Sequence, residues 1–266
     1  MSNNQLAKIK AMYEDNVANE KLHALIIGDK GVGKTHLGKT CPLPLLVYSF
    51  DPGGSQTLKE EIDNGDVFVA PFEYDDVTNP SCYASFRKMF NEHRKTGFFD
   101  NFATVMLDSL STLADALVLE VLKQENRKLP SVEGGNAGDG MRIQDWMTVS
   151  NEMSNLVRSF QLLPVHTLML GHIDRERDEA SGQFLKSLSF PGKSSLRIPQ
   201  LSSDVYYLMA KGNDEKITRH LQVLNNGEYH AGSRLPNLEA KEEPDIKKLL
   251  EKAGLDASDK PKLEIE

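Results

Sequence analysis

The stretch LHALIIGDKGVGKTHLGKT, residues 22–40, decides which fold this chain can adopt. At its centre stands GDKGVGKT, residues 28–35, a complete G-x-x-x-x-G-K-[ST] motif between an apolar strand-like run and a helix-like segment. The glycines permit positive φ angles, so consecutive backbone N–H groups can converge on anionic oxygens at a helix N-terminus. We therefore expect a phosphate-binding loop made of Gly28, Asp29, Lys30, Gly31, Val32, Gly33, Lys34, Thr35 and His36.

A second segment, FATVMLDSLSTL at 102–113, supplies the acid that such a loop requires. Its first half is typical of a buried strand, and Asp108 follows at the carboxyl end, where ligands of open α/β sheets bind. Lys34 is expected to reach the nucleotide phosphates, and Thr35 and Asp108 are expected to hold Mg²⁺, which prefers oxygen ligands. Asp108 could instead only cap the helix that follows, a role that Ser109 or Ser111 could also fill.

The rest of the chain alternates apolar strand-like runs with helical stretches. Strands are expected at 22–27, 45–50, 67–70, 103–107, 166–170 and 204–209, and helices at 35–41, 83–94, 111–126 and 144–162. This alternation predicts an α/β fold with a mostly parallel, twisted sheet flanked by helices. Residues 217–224, followed by Asn-Asn-Gly, predict an antiparallel edge hairpin. Two stretches without a core pattern, 127–143 and 173–200, read as long loops, functional or disordered.

The pattern divides the chain into three regions. Residues 1–19 form a leading helical segment with apolar residues at helical spacing, which would pack either on its own core or on a neighbouring subunit. Residues 20–238 form the α/β core. Residues 239–266 form a charged tail with one helix near 244–253 that Gly254 ends.

Composition restricts the class of protein. The 266 residues carry 39 acidic and 31 basic side chains, a net charge of −8, so nucleic-acid binding would need local basic loops. The two cysteines, Cys41 and Cys82, lack metal-ligand spacing, which favours a reducing compartment. The first residues show no charged region followed by an apolar run, and the apolar runs are far shorter than the ~20 residues that cross a bilayer. We therefore expect a cytoplasmic protein without a membrane partner.

Three motifs carry a resemblance to a known family: LLVYSFDPGG at 45–54, MLDSLSTL at 106–113 within the segment described above, and a strand ending in LGH at 170–172. With the phosphate loop, they resemble the RecA-like ATPase core. The short leading segment and the lack of a large accessory domain most resemble the phage-encoded RecA-like ATPases of the Sak type, which assist single-strand annealing and recombination. The resemblance covers about residues 20–240. It implies a Mg²⁺-dependent ATPase that binds ATP, forms a homo-oligomeric filament or ring, and is stimulated by single-stranded DNA.

The resemblance also implies roles for individual residues. Asp51 takes the place of the carboxylate that orients or activates the attacking water, with Glu60 and Glu61 as substitutes. For Asp51, turn formation in Asp-Pro-Gly-Gly is the alternative. His172 stands where the family usually has a Gln that senses the γ-phosphate, and it could instead be a histidine at the end of a core strand. Lys193 and Arg197 are the candidates for a cation that a neighbouring subunit contributes to the transferred phosphoryl group.

By the same resemblance, residues 133–141 and 173–192 stand where the family has its two DNA-binding loops. The candidate DNA contacts are Arg142, Arg175, Arg177 and Lys186, each of which could also be a solvated loop cation. Another function stays open, a nucleotide-dependent switch or scaffold that regulates a partner such as a phage single-strand binding or annealing protein. The acidic net charge favours that alternative. A small-molecule kinase would share the phosphate loop, but 173–198 mixes both charges and lacks the character of an arginine-rich lid.

Overall fold

The computed structural model describes residues 2–14, 20–131, 133–135, 139–177, 184–190, 194–213 and 216–264. The strands are β1 (His23–Gly28), β2 (Leu45–Ser49), β3 (Val67–Pro71), β4 (Thr104–Asp108), β5 (His166–Arg177), β6 (Phe184–Leu188), β7 (Asp204–Asn213), β8 (Lys216–Gln222) and β9 (Lys241–Glu242). The α-helices are α1 (Ser2–Glu14), α2 (Lys59–Asp63), α3 (Cys82–Thr96), α4 (Leu110–Gln124), α5 (Ile143–Gln161), α6 (Ser194–Leu201) and α7 (Ile246–Ala253). Short 3₁₀ helices cover Thr35–Thr40, Gly54–Leu58 and Phe98–Asn101.

The strands form one mixed sheet in the order β3-β2-β4-β5-β1-β7-β8-β9, with β6 paired to β5. The strands from β3 to β7 in this order run parallel. Strands β8 and β9 complete one edge in antiparallel fashion, and β6 pairs antiparallel with β5. This arrangement confirms the expected α/β fold, parallel in the middle with antiparallel strands at the periphery.

Both faces of the sheet are buried, and alternate residues of each strand serve opposite faces. On β1, Leu25 and Ile27 point into one apolar layer, and Ala24 and Ile26 into the other. Helices α3, α4, α5 and α6 cover the first layer. The 3₁₀ helix after the phosphate loop and helix α7 cover the second. The phosphate loop is thus fixed to the sheet by the layer that contains α7.

Helix α7 belongs to this second layer because its apolar residues lie on one side. Ile246, Leu249 and Leu250 are buried against the sheet. The Asp245 carboxylate accepts the Lys248 N–H at the start of the helix, and Gly254 ends it in the left-handed conformation. The predicted helix near 244–253 is confirmed, and the segment beyond residue 238 contributes a strand and a helix to the body of the protein.

The expectation of a long loop over 173–200 is wrong for the described residues of that stretch. Strand β5 continues to Arg177 and pairs with β6, with Ile173 opposite Leu188, and α6 follows. Leu188 is fully buried, and its Cδ1 lies only 2.3 Å from where a Cβ would stand on Gly171. The charged sequence IDRER shows no strand pattern, because the contact that anchors the hairpin joins Gly171, before this sequence, to Leu188 on the other strand.

In the described residues, no helix is long and apolar enough to cross a membrane.

Phe90 tests the packing of the first layer. It is fully buried on α3 and stacks on Phe160 of α5, with ring centroids 4.9 Å apart. We expect Phe90→Ala to lower the free energy of unfolding by about 3–5 kcal/mol, because loss of the ring leaves a cavity that the surrounding side chains refill only in part. Urea unfolding measures the change. Leu162→Ala, at a position 69% exposed, is the control and should cost less than about 0.5 kcal/mol.

His166 predicts a pH dependence of stability. It is buried at the start of β5, where the Leu22 N–H donates to Nδ1 at 3.0 Å and Nε2–H donates to the Asp256 carbonyl at 2.9 Å. Burial lowers the pKa of His166 from 6.5 to about 4. Between these values the unfolded chain binds a proton that the folded chain excludes, so stability falls as the pH falls through this window. At ~1.4 kcal/mol per pKa unit, the loss approaches roughly 3 kcal/mol.

Urea midpoints of the wild type and of His166→Asn at pH 7 and pH 4.5 measure this contribution. Asn keeps an acceptor for the Leu22 N–H but does not titrate in this range. We expect the variant to lose less stability on acidification than the wild type. Equal losses in both proteins would show that His166 does not resist protonation.

Candidate functional site

A cleft of about 760 Å³ lies at the carboxyl ends of the parallel strands. Strand β1 ends there at Gly28 and β4 at Asp108. The lining residues that come from the loop are Lys30, Gly31, Gly33, Lys34, Thr35 and His36. Other elements contribute further polar side chains, namely Asp51, Thr112, His172 and Arg219. The cleft therefore collects residues that are far apart in the sequence.

The backbone of the loop depends on its glycines. Gly31 and Gly33 have φ angles of 75° and 106°, which residues other than glycine rarely adopt. A Cβ on Gly28 would lie 2.9 Å from the Leu208 carbonyl oxygen of the adjacent strand β7. The loop can thus leave the sheet tightly and curve around the cleft.

Lys34 lies at the centre of this curve with 6% of its surface exposed. Its Nζ donates to the carbonyls of Gly28 at 2.9 Å and Asp29 at 3.1 Å, and lies 3.4 Å from His172 Nδ1. Burial lowers the pKa of Lys34, and the nearby carboxylate of Asp108 opposes that shift. A cation held by neutral carbonyls can transfer these donors to phosphate oxygens, which accept hydrogen bonds more strongly.

Asp108 contacts the other polar side chain of the motif. The Thr35 hydroxyl donates to Asp108 Oδ2 at 2.6 Å, and Asp108 is almost fully buried. Burial raises the pKa of Asp108 to about 6, although the Thr35 hydrogen bond works in the opposite direction. Asp108 Oδ1 is buried without a hydrogen-bond partner. Capping of α4 falls instead to Ser109, whose Oγ accepts the Thr112 N–H at 3.3 Å.

An unpartnered carboxylate oxygen beside a threonine hydroxyl fits a hard divalent cation such as Mg²⁺. Among the residues that the structure describes, no cluster of three or more His, Cys, Asp or Glu side chains could hold a metal by itself. Mg²⁺ usually binds to one or two protein oxygens together with substrate phosphates, so the pair of Thr35 and Asp108 matches that chemistry.

Asp51 also lines the cleft, and three side chains donate hydrogen bonds to its carboxylate. Its Oδ1 accepts the hydroxyls of Ser109, at 2.8 Å, and Thr112, and its Oδ2 lies 2.9 Å from His172 Nε2. Burial alone would raise the pKa of Asp51. Hydrogen bonds from His172, Thr112 and Ser109 outweigh burial and lower the pKa to about 2. These hydrogen bonds favour the ionised form of Asp51 and hold its side chain in the cleft, while its main-chain carbonyl accepts the Gly54 N–H in the turn.

His172 bridges Lys34 and Asp51. Because the Lys34 ammonium can only donate, Nδ1 of the ring accepts, and Nε2 then carries the proton that it donates to Asp51. The His172 main-chain N–H donates to Ser111 Oγ at 3.1 Å, and the Ser111 hydroxyl donates to the Ser189 carbonyl at 2.8 Å. A continuous line of contacts thus connects the phosphate loop to the residues that follow β6.

Sequence reasoning missed Glu73, which fixes the turn that carries Asp51. Its carboxylate accepts the Ser49 hydroxyl at 2.7 Å and the Gly53 N–H at 2.9 Å. The signal that could have identified Glu73 is its position, since it is an acidic residue just after the apolar strand β3. Glu60 and Glu61, the substitutes for Asp51, lie on α2 and do not line the cleft.

Arg219 was also missed, because only strand pairing brings it to the loop. It lies on β8, opposite Ala210 of β7. Its Nε–H donates to the Val32 carbonyl at 2.9 Å. No local motif surrounds Arg219 in the sequence, so it carries no signal of its own.

Two of the candidate DNA contacts come together beside the phosphate loop. Arg175 on β5 pairs in register with Lys186 on β6, and both line a polar cleft of about 410 Å³ together with Lys30 and Lys211. Both also have acidic partners: Arg175 lies 3.5 Å from Asp29, and the Lys186 ammonium contacts Glu228 at 2.5 Å. We call this cleft, which is lined by the four cations Lys30, Arg175, Lys186 and Lys211, the basic cleft.

The other candidates lie elsewhere. Arg142 precedes α5, where its main-chain N–H donates to Asp145 at 2.6 Å. Asp145 also pairs with buried Arg127 at 2.8 Å, which ties the start of the glycine-rich loop to the helix after it. The side chain of Arg177 and the whole of Lys193 lie outside the described residues.

Comparison with known proteins adds to this geometry. A family model described as an AAA domain matches residues 20–235. No curated protein matches the chain. Among solved structures, a KaiC-like protein from the hyperthermophilic archaeon Pyrococcus horikoshii is similar, with 12% sequence identity and a TM-score of 0.39 over 79% of this chain and 82% of that chain. The family match includes the phosphate loop, Asp108 and most of the sheet, and the chain therefore belongs to the AAA domain family of P-loop ATPases.

Proposed function

We propose that this protein is a Mg²⁺-dependent ATPase of the Sak type that acts as a homo-oligomer on single-stranded DNA in phage recombination or replication, in strand annealing or exchange. The observation that carries the ATPase is the Thr35–Asp108 pair, with its free carboxylate oxygen, next to Lys34 in the glycine-rich loop. Membership of the AAA domain family supports the same chemistry. The DNA role is supported by the resemblance in sequence and by two surface features described below.

The loop residues would bind ATP through its phosphates. In this proposal, Lys34 exchanges its carbonyl acceptors for phosphate oxygens, and backbone N–H groups of the loop bind the remaining oxygens. Thr35 and Asp108 would hold Mg²⁺, which neutralises charge on the phosphates when it is bound. Burial of Asp108 makes an anion there costly without a cation, and this favours metal binding.

Asp51 would orient the water that attacks the terminal phosphate. With a pKa of about 2, Asp51 is a weak base, so positioning of the water suits it better than removal of a proton at neutral pH. His172 would change partners when Lys34 turns to phosphate, because its Nδ1 then loses the Lys34 donor. The site would in this way register whether the terminal phosphate is present.

Asp108→Asn tests the metal-binding pair. Asn keeps an acceptor for the Thr35 hydroxyl but removes the charge, so we expect Mg²⁺-dependent ATP hydrolysis to fall about tenfold or more while the fold is retained. Steady-state phosphate release and the Mg²⁺ dependence of nucleotide binding measure the effect. Lys34→Ala should abolish nucleotide binding itself.

The matched control is Asp63→Asn, the same change on the surface of α2, where Asp63 forms an ion pair with Lys59 one helical turn away. It should hydrolyse ATP at the wild-type rate. Wild-type turnover in Asp108→Asn would remove Asp108 from the metal site.

Two features of the surface support binding of a nucleic-acid strand. The basic cleft beside the loop offers cations to phosphates. At the start of α5, Trp146 is 39% exposed one turn beyond Arg142, and Ile143 and Met147 beside it are more exposed still. An exposed aromatic next to a cation is the combination that binds single-stranded bases and their backbone.

Trp146 is the only tryptophan of the chain, so its fluorescence reports on this surface directly. We expect titration with oligo(dT) to quench the fluorescence, and the same DNA to stimulate ATP hydrolysis severalfold, with both effects weakened by salt. Arg142→Gln should reduce the affinity. Arg158→Gln, on an exposed position of the same helix, should leave it unchanged. Unchanged fluorescence together with DNA-independent hydrolysis would contradict a DNA role.

The leading helix supports assembly with further chains. Leu6, Ile9 and Met12 of α1 are each more than 60% exposed, so these side chains do not cover the core of their own chain. Their apolar stripe suits a neighbouring subunit in a filament or ring. Weak DNA contacts would then be multiplied along the assembly. A phage single-strand binding or annealing protein is the further partner that this function implies.

A nucleotide-dependent switch that regulates a protein partner is the second candidate function. The observation that favours it is the pairing of Arg175 with Asp29 and of Lys186 with Glu228, which reduces the charge available to DNA. The DNA titration separates the two functions, because a switch of this kind hydrolyses ATP without responding to oligo(dT).

A further inference from the structure

Arg219 approaches the phosphate loop from a strand that the nucleotide motifs do not include. It lies on the same face of β8 as Leu221, which packs in the layer that contains Val32 and Leu37. From there the side chain reaches back over β7, and its Nε–H donates to the Val32 carbonyl at 2.9 Å. Its Nε and Cδ lie 3.6 and 3.7 Å from where a Cβ would stand on Gly33. The guanidinium group thus lies along the backbone that is expected to bind phosphates.

The charge of Arg219 is not used by any neighbouring acid in the described part of the chain. No carboxylate there forms an ion pair with it, and the hydrogen bond to Val32 uses one of its five N–H donors. Arg219 also lines the 760 Å³ cleft together with Lys34 and Thr35. A guanidinium group with free donors at the wall of an anion-binding cleft is suited to a planar, two-point contact with phosphate oxygens.

We propose that Arg219 is a second nucleotide-binding cation of this site and that it also positions the loop. Its Nε–H holds the Val32 carbonyl, and its terminal amino groups bind phosphate oxygens of the nucleotide. The inference rests on the nucleotide-binding part of the proposed function and is independent of DNA and of assembly.

The dissociation constant of the fluorescent nucleotide N-methylanthraniloyl-ADP, measured with Mg²⁺ on the full chain, tests the proposal. We expect Arg219→Ala to weaken binding about tenfold or more, because both the loop contact and the phosphate contact are lost. Arg219→Lys should restore part of the affinity, since it keeps the charge but not the planar fork. Arg158→Ala, which removes an exposed arginine from α5, should bind as the wild type does.

A second measurement separates binding from folding. Addition of millimolar guanidinium chloride should recover nucleotide binding by Arg219→Ala but not by Lys34→Ala, while the melting temperature of Arg219→Ala without ligand stays at the wild-type value. Wild-type affinity in Arg219→Ala would overturn the inference. Weaker binding with a lowered melting temperature and no rescue would also overturn it, because Arg219 would then act only on the fold. A wild-type protein that binds no nucleotide would instead overturn the proposed function.

Discussion

The hydrogen bond from the Thr35 hydroxyl to Asp108 is the contact on which the site depends. It joins the end of β4 to the loop that follows β1, although the two strands are not neighbours. Strand β5 lies between them, so the contact forms only if the parallel strands stand in the order observed. The order in turn requires helices on both faces of the sheet, because parallel strands are connected by crossovers. The polar pair therefore reports on the whole arrangement of the core.

Burial of the charged side chains in the cleft costs free energy, and their interactions with one another offset only part of that cost. Burial lowers the pKa of Lys34 and raises the pKa of Asp108, so each charged form is disfavoured where it lies. Asp51 differs because three side chains donate hydrogen bonds to it, and they keep it ionised. A nucleotide would supply the anion that Lys34 lacks, and a divalent cation would do the same for Asp108. The site is thus electrostatically incomplete in a way that a metal–nucleotide complex would satisfy.

The sequence predicts the parts of this protein that depend on local patterns. The loop at 28–35, the strand that ends in Asp108 and the boundaries of α3, α4 and α5 all follow from motifs or periodicity within a few residues. Prediction from the sequence fails where a contact depends on how strands pair in the sheet. The second half of β5, IDRER, is charged and has no apolar strand pattern, but it pairs with β6, where Leu188 packs closely over Gly171. Glu73 and Arg219 likewise reach the site only through the sheet, so spacing along the chain cannot reveal them.

Strand β5 has two halves that pair with different strands. Its first half lies buried between β1 and β4, and its second half extends beyond these two strands and pairs with β6. His172 stands at the junction, in contact with Lys34 and Asp51 through its ring and with Ser111 through its main chain. Ser111 in turn contacts Ser189, which follows β6. A change of partner at Lys34 would therefore act on a residue that both halves share. Arg175 lies three residues beyond His172 on the same strand, so strand β5 contributes to both the phosphate site and the basic cleft.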